Sequence, residues 1–190
     1  MKTWIAHAGW IIAAGCFALV CQSHASEPLQ LTARGTAQVA FTPGDDAASL
    51  VLEALRRAKR QVLVQAYSLT HKDIAEALVD ARRRGLDVQV IADPEQHARG
   101  ATSLVAWLAE QGVPVWFDGE HAAAHNKVMV IDTGTASAAV LTGSFNFTHA
   151  AQYRNAENLL LLKGNPELAA AYAANWRRHR IHSLPYRAGR

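Results

Sequence analysis

The chain has 190 residues, half of them hydrophobic and 18% charged, with a net charge of +3 when the histidines are neutral. That length and balance call for one domain with a packed core, and the mild basicity is compatible with a polyanionic partner without requiring one. Both cysteines, Cys16 and Cys21, lie in an N-terminal stretch that reads as a removable leader, which excludes disulfides and thiolate chemistry from the mature chain.

The leader has a short positive head at Lys2, an apolar run from Ile5 to Val20, and a small-x-small cleavage pattern at Ser23-His24-Ala25. The run falls short of the ~20 apolar residues a spanning helix needs. Residues 1–25 are therefore expected to be a cleaved signal peptide, with an uncleaved anchor as the alternative. A lipoprotein at Cys21 is disfavoured by the bulk of Val20. Removal leaves 18 basic against 16 acidic residues, a mature charge of +2. Export without disulfides points to a bacterial periplasm or the medium, with no stable membrane association after cleavage.

Residues 26–190 read as one domain. Ser26 to Arg34 looks like a loose leader, and Thr36 to Phe41 alternates as a strand does. Asp45 and Asp46 offer an N-cap to a helix from Ala47 to Arg60, with Leu50, Val51, Leu55 and Ala58 at helical spacing and a basic end. Val62 to Tyr67 is a buried strand. Ile74 to Arg84 is a helix closed by Gly85, and Asp87 to Ala92 is another apolar strand. Residues 95–100 read as a polar loop. Thr102 or Ser103 then caps a helix running through Leu104, Val105, Trp107 and Leu108 to Gly112. Val113 to Phe117 is a short strand in which Pro114 marks an edge or a start.

Further on, His125 to Asp132 is an apolar strand with a polar head, and Thr133 to Ala136 turns it back into Ala138 to Thr142. A polar loop continues through Arg154. Asn158 to Leu162 is a strand, and Asn165 caps a last helix with Pro166 in its first position, ending near Arg180 before a basic tail. Strands alternating with helices predict an α/β layered sandwich, its mixed and partly parallel central sheet flanked by helices. No internal repeat is present.

The chemistry concentrates in His125-Asn126-Lys127 and Gly143-Ser144-Phe145-Asn146. Residues two apart on a strand share a face, so His125 and Lys127 point the same way. An imidazole, an ammonium, a hydroxyl and an amide without a carboxylate among them suit an anion, and a phosphate is the natural candidate. Taken singly, His-x-Lys is an ordinary strand edge and Gly-Ser-x-Asn an ordinary turn. Taken together, the pattern is His-x-Lys, four residues, Asp132, ten residues, then Gly-Ser-x-Asn. It resembles the signature of the phospholipase D superfamily. The likeness extends to Gln65-Ala66-Tyr67-Ser68, to Arg84-Gly85 and to Arg154-Asn155-Ala156-Glu157-Asn158, and among members it is greatest to the small, secreted, single-motif nucleases.

The resemblance implies a phosphodiesterase. Members with two motifs build one site from both, so a chain with one motif implies a symmetric homodimer with the site on its axis. One His125 attacks phosphorus and forms a phosphohistidine. The other protonates the leaving oxygen and then activates water, and the two titrate as a coupled pair. Lys127 and Asn146 hold the non-bridging oxygens, Ser144 donates a hydrogen bond nearby, and Glu157 orients the histidine ring. Gln65 and Arg154 join Lys127 and Asn146 as implied substrate contacts. Asp132 and Gly143 belong to the signature structurally. Alternation leaves Asp132 off the face of His125, Lys127, Met129 and Ile131, so an ion pair or a turn role is expected for it.

This scheme requires no metal and no other cofactor. A metal reading through His121 and His125, four apart as on a helix, lacks the glutamate of a zinc-protease motif and sets Lys127 against the cation. His71, His97, His149, His179 and His182 read as ordinary polar residues. The leading expectation is a metal-independent, non-specific endonuclease acting on DNA, or on RNA as well, with Arg154, Arg177, Arg178 and Arg180 available to a phosphate backbone. A phospholipid hydrolase or transferase of the same superfamily is the second reading. A nucleic-acid-binding module without catalysis is the third.

Overall fold

In a computed structural model, residues 27–100 and 102–187 are described. The expected signal peptide at 1–25 lies outside them. From Leu31 onward the chain forms one unit, built on an eight-stranded sheet in the order β1-β7-β6-β5-β2-β3-β4-β8. The strands are β1 Thr36–Thr42, β2 Gln61–Ala66, β3 Asp87–Ala92, β4 Val115–Phe117, β5 Lys127–Ile131, β6 Ala139–Gly143, β7 Glu157–Lys163 and β8 Leu184–Pro185. The helices are α1 Ala47–Arg57, α2 Lys72–Arg83, α3 Pro94–Arg99, α4 Val105–Glu110, α5 His149–Tyr153 and α6 Pro166–His182.

Only β2–β3 and β3–β4 pair in parallel, and the other five pairings are antiparallel. The sheet is therefore mixed and partly parallel. Strands buried on both faces read as continuous apolar runs, and β5 is buried along its whole length. Met129, Ile131, Val62, Val64, Val88 and Val90 face one core with α1, α2 and α4. Leu63, Ile91, Val128 and Val130 face the other, where Ala169, Ala173 and Trp176 of α6 cover them. Trp176 satisfies its indole N–H on the Val64 carbonyl at 2.9 Å. No helix among the described residues is long and apolar enough to cross a membrane.

The boundaries differ from the sequence reading where side chains intervene. Helix α1 ends at Arg57 rather than Arg60, because the backbone N–H groups of Lys59, Arg60 and Gln61 turn to the Asp132 carboxylate. The expected loop at 95–100 is helix α3. Asp93 caps it by accepting from the Gln96 N–H at 2.8 Å, and Pro94 occupies its first turn. The polar loop before Arg154 contains the short helix α5, capped by Thr148. The tail after α6 adds the two-residue strand β8 beside β4. Helix α4 starts after Leu104, and neither Thr102 nor Ser103 is its cap residue.

Candidate active site

Strand β5 runs antiparallel to β2, so its first residue, Lys127, pairs with the last residue of β2, Ala66. The Tyr67 N–H donates to the Asn126 carbonyl at 2.9 Å and carries the pairing one step past the sheet. His125 lies just beyond, exposed, with its ring 4.2 Å from that of Tyr67. Its neighbour two residues on, Lys127, is buried. The Lys127 ammonium donates to the His125 carbonyl at 2.7 Å, lies 3.0 Å from His125 Nδ1, and stands 4.5 Å from the centre of the Tyr67 ring. Burial pushes the Lys127 ammonium down to about 8, with the charge of Glu157 opposing the shift. A cation held against its own desolvation retains capacity for an anion.

The second half of the motif arrives on β6, which pairs with β5 so that Thr142 stands opposite Val128. Gly143 ends the strand at φ +152°, and a Cβ there would collide with the Asn158 carbonyl oxygen. Glycine is required at this crossing. Alternation then decides the next residues: Phe145 and Phe147 are fully buried anchors, while Ser144 is exposed and Asn146 half-buried. The Phe147 carbonyl accepts from Thr70 and His71, tying the turn to the segment after β2. Asn146 Oδ1 is buried without a hydrogen-bond partner, so the amide is not committed to the protein on that side. Ser144 Oγ accepts from the backbone N–H of Asn158 at 3.0 Å and from its side-chain amide at 3.3 Å. Both contacts leave the hydroxyl proton free to donate.

Glu157 opens β7, half-buried, and accepts from Asn155 Nδ2 at 3.0 Å. It acts electrostatically on Lys127 and makes no hydrogen bond to the His125 ring of its own chain. Gln65 stands opposite Val128, which places it on the α6 face of the sheet, away from Lys127. It is buried there, with Oε1 unpartnered. Arg154 is the exposed C-cap of α5. Asp132 lies at the far end of β5 from Lys127. There its carboxylate receives three backbone N–H groups at 2.8–3.1 Å and its own φ is +52°. The turn role is present, whereas an ion pair is not among its contacts in the described residues. Of the C-terminal arginines, Arg177 and Arg178 are exposed, while Arg180 stacks on Trp116 at 3.8 Å from the ring centre.

Two residues near the site carried no role in the sequence reading. Tyr67 walls both His125 and Lys127, and its hydroxyl accepts from Gln96 at 2.9 Å. Asp93 is buried and accepts from the Ala124 N–H at 2.8 Å, which fixes the residue before His125. The local signal was the Asp93-Pro94 pair, a helix start as much as a strand end. His121 and His125 do not share a helix, since residues 118–126 form none. His121 instead gathers with Asp118, His179 and His182, a set that could hold a metal ion.

Residues 51–180 match the family described as cardiolipin synthase, PLD-like domain. A Rickettsia typhi protein named phospholipase D is 34% identical over 143 residues, which span 75% of this chain and 67% of that one. The crystal structure of Nuc, a phospholipase D family member from Salmonella typhimurium, superposes with a TM-score of 0.74 at 35% identity, covering 80% of this chain and 99% of Nuc. NucT from Helicobacter pylori shares the fold, with a TM-score of 0.71 at 23% identity over 80% of this chain and 99% of NucT.

Proposed function

The chain belongs to the PLD-like domain family of the phospholipase D superfamily, whose members act on phosphodiesters, and from that premise we propose that it is an exported nuclease cleaving DNA in a site shared by two copies. The observation that carries this reading is the meeting of His125 and Lys127 at one end of the sheet, beside a Gly-Ser-x-Asn turn whose polar groups are incompletely used. A single chain supplies one imidazole, and phosphodiester exchange through a phosphohistidine needs two. A symmetric pair supplies the second.

When the Lys127 ammonium donates to His125 Nδ1, 3.0 Å away, a neutral ring carries its proton on Nε2. That tautomer is not the nucleophile. A non-bridging phosphate oxygen draws the ammonium away, solvent water takes the Nε2 proton and returns one to Nδ1, and the lone pair on Nε2 is freed. Nε2 then bonds to phosphorus as the P–O bond to the leaving strand breaks, and the leaving oxygen takes a proton from the partner's His125. Water attacks the phosphohistidine, giving its proton to that same ring, and the P–N bond breaks. Lys127 and the Asn146 amide stabilise the equatorial oxygens at both steps. The exposed setting of His125 admits a long polymer. Backbone contacts by Arg154, Arg177 and Arg178 would be blind to sequence.

The name of the Rickettsia relative favours a second reading, hydrolysis of phospholipids in the same site. Plasmid DNA and phospholipid vesicles offered in parallel to the wild type and to His125→Ala separate the two. Nicking of DNA by the wild type alone, with vesicles intact, supports the nuclease. Hydrolysed vesicles with intact DNA would replace it by the lipid reading. Light scattering on the same sample reads the dimer, and a monomeric active enzyme would overturn the shared site.

A further inference from the structure

Beside β4, about one loop away from the motif, three histidines converge on one buried carboxylate. Asp118 follows β4 directly, its side chain is fully buried, and its N–H donates to the Ala92 carbonyl at 3.1 Å. His179 and His182 lie three apart in the last turn of α6, a spacing that puts both on one helical face. His179 Nδ1 is 2.6 Å from one Asp118 oxygen, and His182 Nε2 is 3.2 Å from the other. His121 comes from the loop that leads to His125, its ring 5.2 Å from that of His179 and 5.5 Å from that of His182. One ligand atom from each of the four residues lies within 4.8 Å of all the others.

Ordinary hydrogen bonding accounts for only part of this. The His179–Asp118 pair is a well-formed hydrogen bond. His182 Nε2 is different. It is buried and close to the carboxylate, yet not aligned to donate to it, and it has no other partner. The exposed His121 side chain also makes no hydrogen bond among the described residues, although its ring packs edge-to-face with both α6 histidines. His182 thus meets the carboxylate at 3.2 Å without a well-aligned hydrogen bond, and the exposed His121 reaches the same place without one, so two imidazole nitrogens beside Asp118 are left available to an ion.

We propose that Asp118, His121, His179 and His182 form a tetrahedral site for a divalent transition metal, with zinc the best fit. Three imidazole nitrogens and one carboxylate are borderline donors of the kind zinc takes, and they suit neither calcium nor magnesium. Bonds of ~2.0–2.1 Å place tetrahedral ligands about 3.3 Å apart, so the four atoms need to close only modestly around an ion. All four positions are filled by protein, which marks the site as structural rather than catalytic. The ion would clamp the end of α6 to the 118–126 loop and so hold His125 in place from four residues away. Phosphodiester chemistry stays with the histidine and lysine of the motif.

The test reads metal directly and needs no nuclease activity. Untagged protein is dialysed against metal-free buffer, analysed for bound metal, and titrated with Co(II) and with Zn(II). We expect about one metal per chain, the intense visible bands of tetrahedral Co(II), and a higher melting temperature with zinc. His121→Ala and His182→Ala, each checked for folding by circular dichroism, should weaken Co(II) binding by more than ~100-fold. His125→Ala should bind as the wild type does, which separates this site from the motif. Protein that retains no metal, shows no Co(II) bands and melts unchanged with zinc would overturn the proposal, as would undiminished binding by the His121→Ala/His182→Ala double variant.

Discussion

The Lys127 ammonium lies 3.0 Å from Nδ1 of His125, and the same side chain is buried against the sheet. Burial of a cation costs stability where its contacts do not fully replace its hydration, and that cost is present while the group stays charged. The folded chain gives up this proton near pH 8, whereas an unfolded lysine keeps it to about 10.5. The penalty is therefore full at neutral pH and fades as pH rises between those values. Lys127→Met should lower phosphodiesterase activity by about 10²–10³-fold, as expected for loss of one transition-state donor. It should also melt at or above the wild-type temperature at pH 7. A mutant that melts several degrees lower would show that Lys127 is a structural cation instead.

The same group sets an alkaline limit on activity. On the proposed function the free enzyme loses the Lys127 charge that would meet phosphate as pH rises through about 8, so kcat/KM should fall above that pH. Lys127→Arg, if it retains activity, keeps its charge and should move this limb to higher pH. An unchanged alkaline limb in that variant would assign it to another group.

Gly143 pairs with Leu159 at the end of β6, hard against the backbone of Asn158. Adding one methyl group by Gly143→Ala drives a Cβ into the Asn158 carbonyl at a φ that side chains avoid. The backbone must shift, and Ser144, which is bonded to Asn158, shifts with it. We expect a loss of roughly 1–3 kcal/mol together with a drop in activity. Denaturant titration and a cleavage assay check both, and an alanine variant with wild-type stability would refute the crossing argument.

Asp132 holds the opposite end of β5 by taking the N–H groups of Lys59, Arg60 and Gln61. Hydrogen bonds to a charged group contribute ~1.5–3 kcal/mol each, though they do not add fully. Asp132→Ala should cost about 2–4 kcal/mol, and it also loses a residue that tolerates φ +52°. Whatever protein remains folded should cleave at a near-normal rate, because the motif histidine and lysine are at the other end of the strand. A folded but inactive Asp132→Ala would give the residue a chemical role.

His71 is buried beside the Gly143–Asn146 turn with both ring nitrogens unpartnered, and desolvation holds its protonation below the usual histidine range despite nearby Asp73. An unfolded histidine charges first as pH falls below about 6.5, so stability is lost on acidification from that point. Melting temperatures measured from pH 7.5 to 5 should fall along this limb, and His71→Leu should flatten it. An equally steep fall in the variant would place the acid sensitivity elsewhere.

Periodicity along the chain was enough to draw most of the sheet and its helices, because buried strands and amphipathic helices advertise themselves residue by residue. The motif was legible too, since the alternation that buries Met129 and Ile131 also sets Lys127 and His125 to one side. The short end of α1 was not legible, because it depends on a distant partner, Asp132, that draws off the backbone after Arg57; helix α3 carried a local start at Asp93-Pro94, which reads equally as the end of β3. Gln65 shows the same limit: the resemblance implies a substrate contact for it, and the β2–β5 register turns it to the α6 face, away from Lys127.

By itself the sequence determined the chemistry: a histidine, a lysine and an amide at spacings that one β-hairpin brings together, within a span of about 20 residues. Only the tertiary structure decided which other groups meet. Asp118 and His121 are separated from His179 and His182 by more than 50 residues, and nothing local marks them as neighbours. They meet because α6 crosses the sheet and ends over β4, a matter of packing two apolar faces rather than of any pattern within either segment.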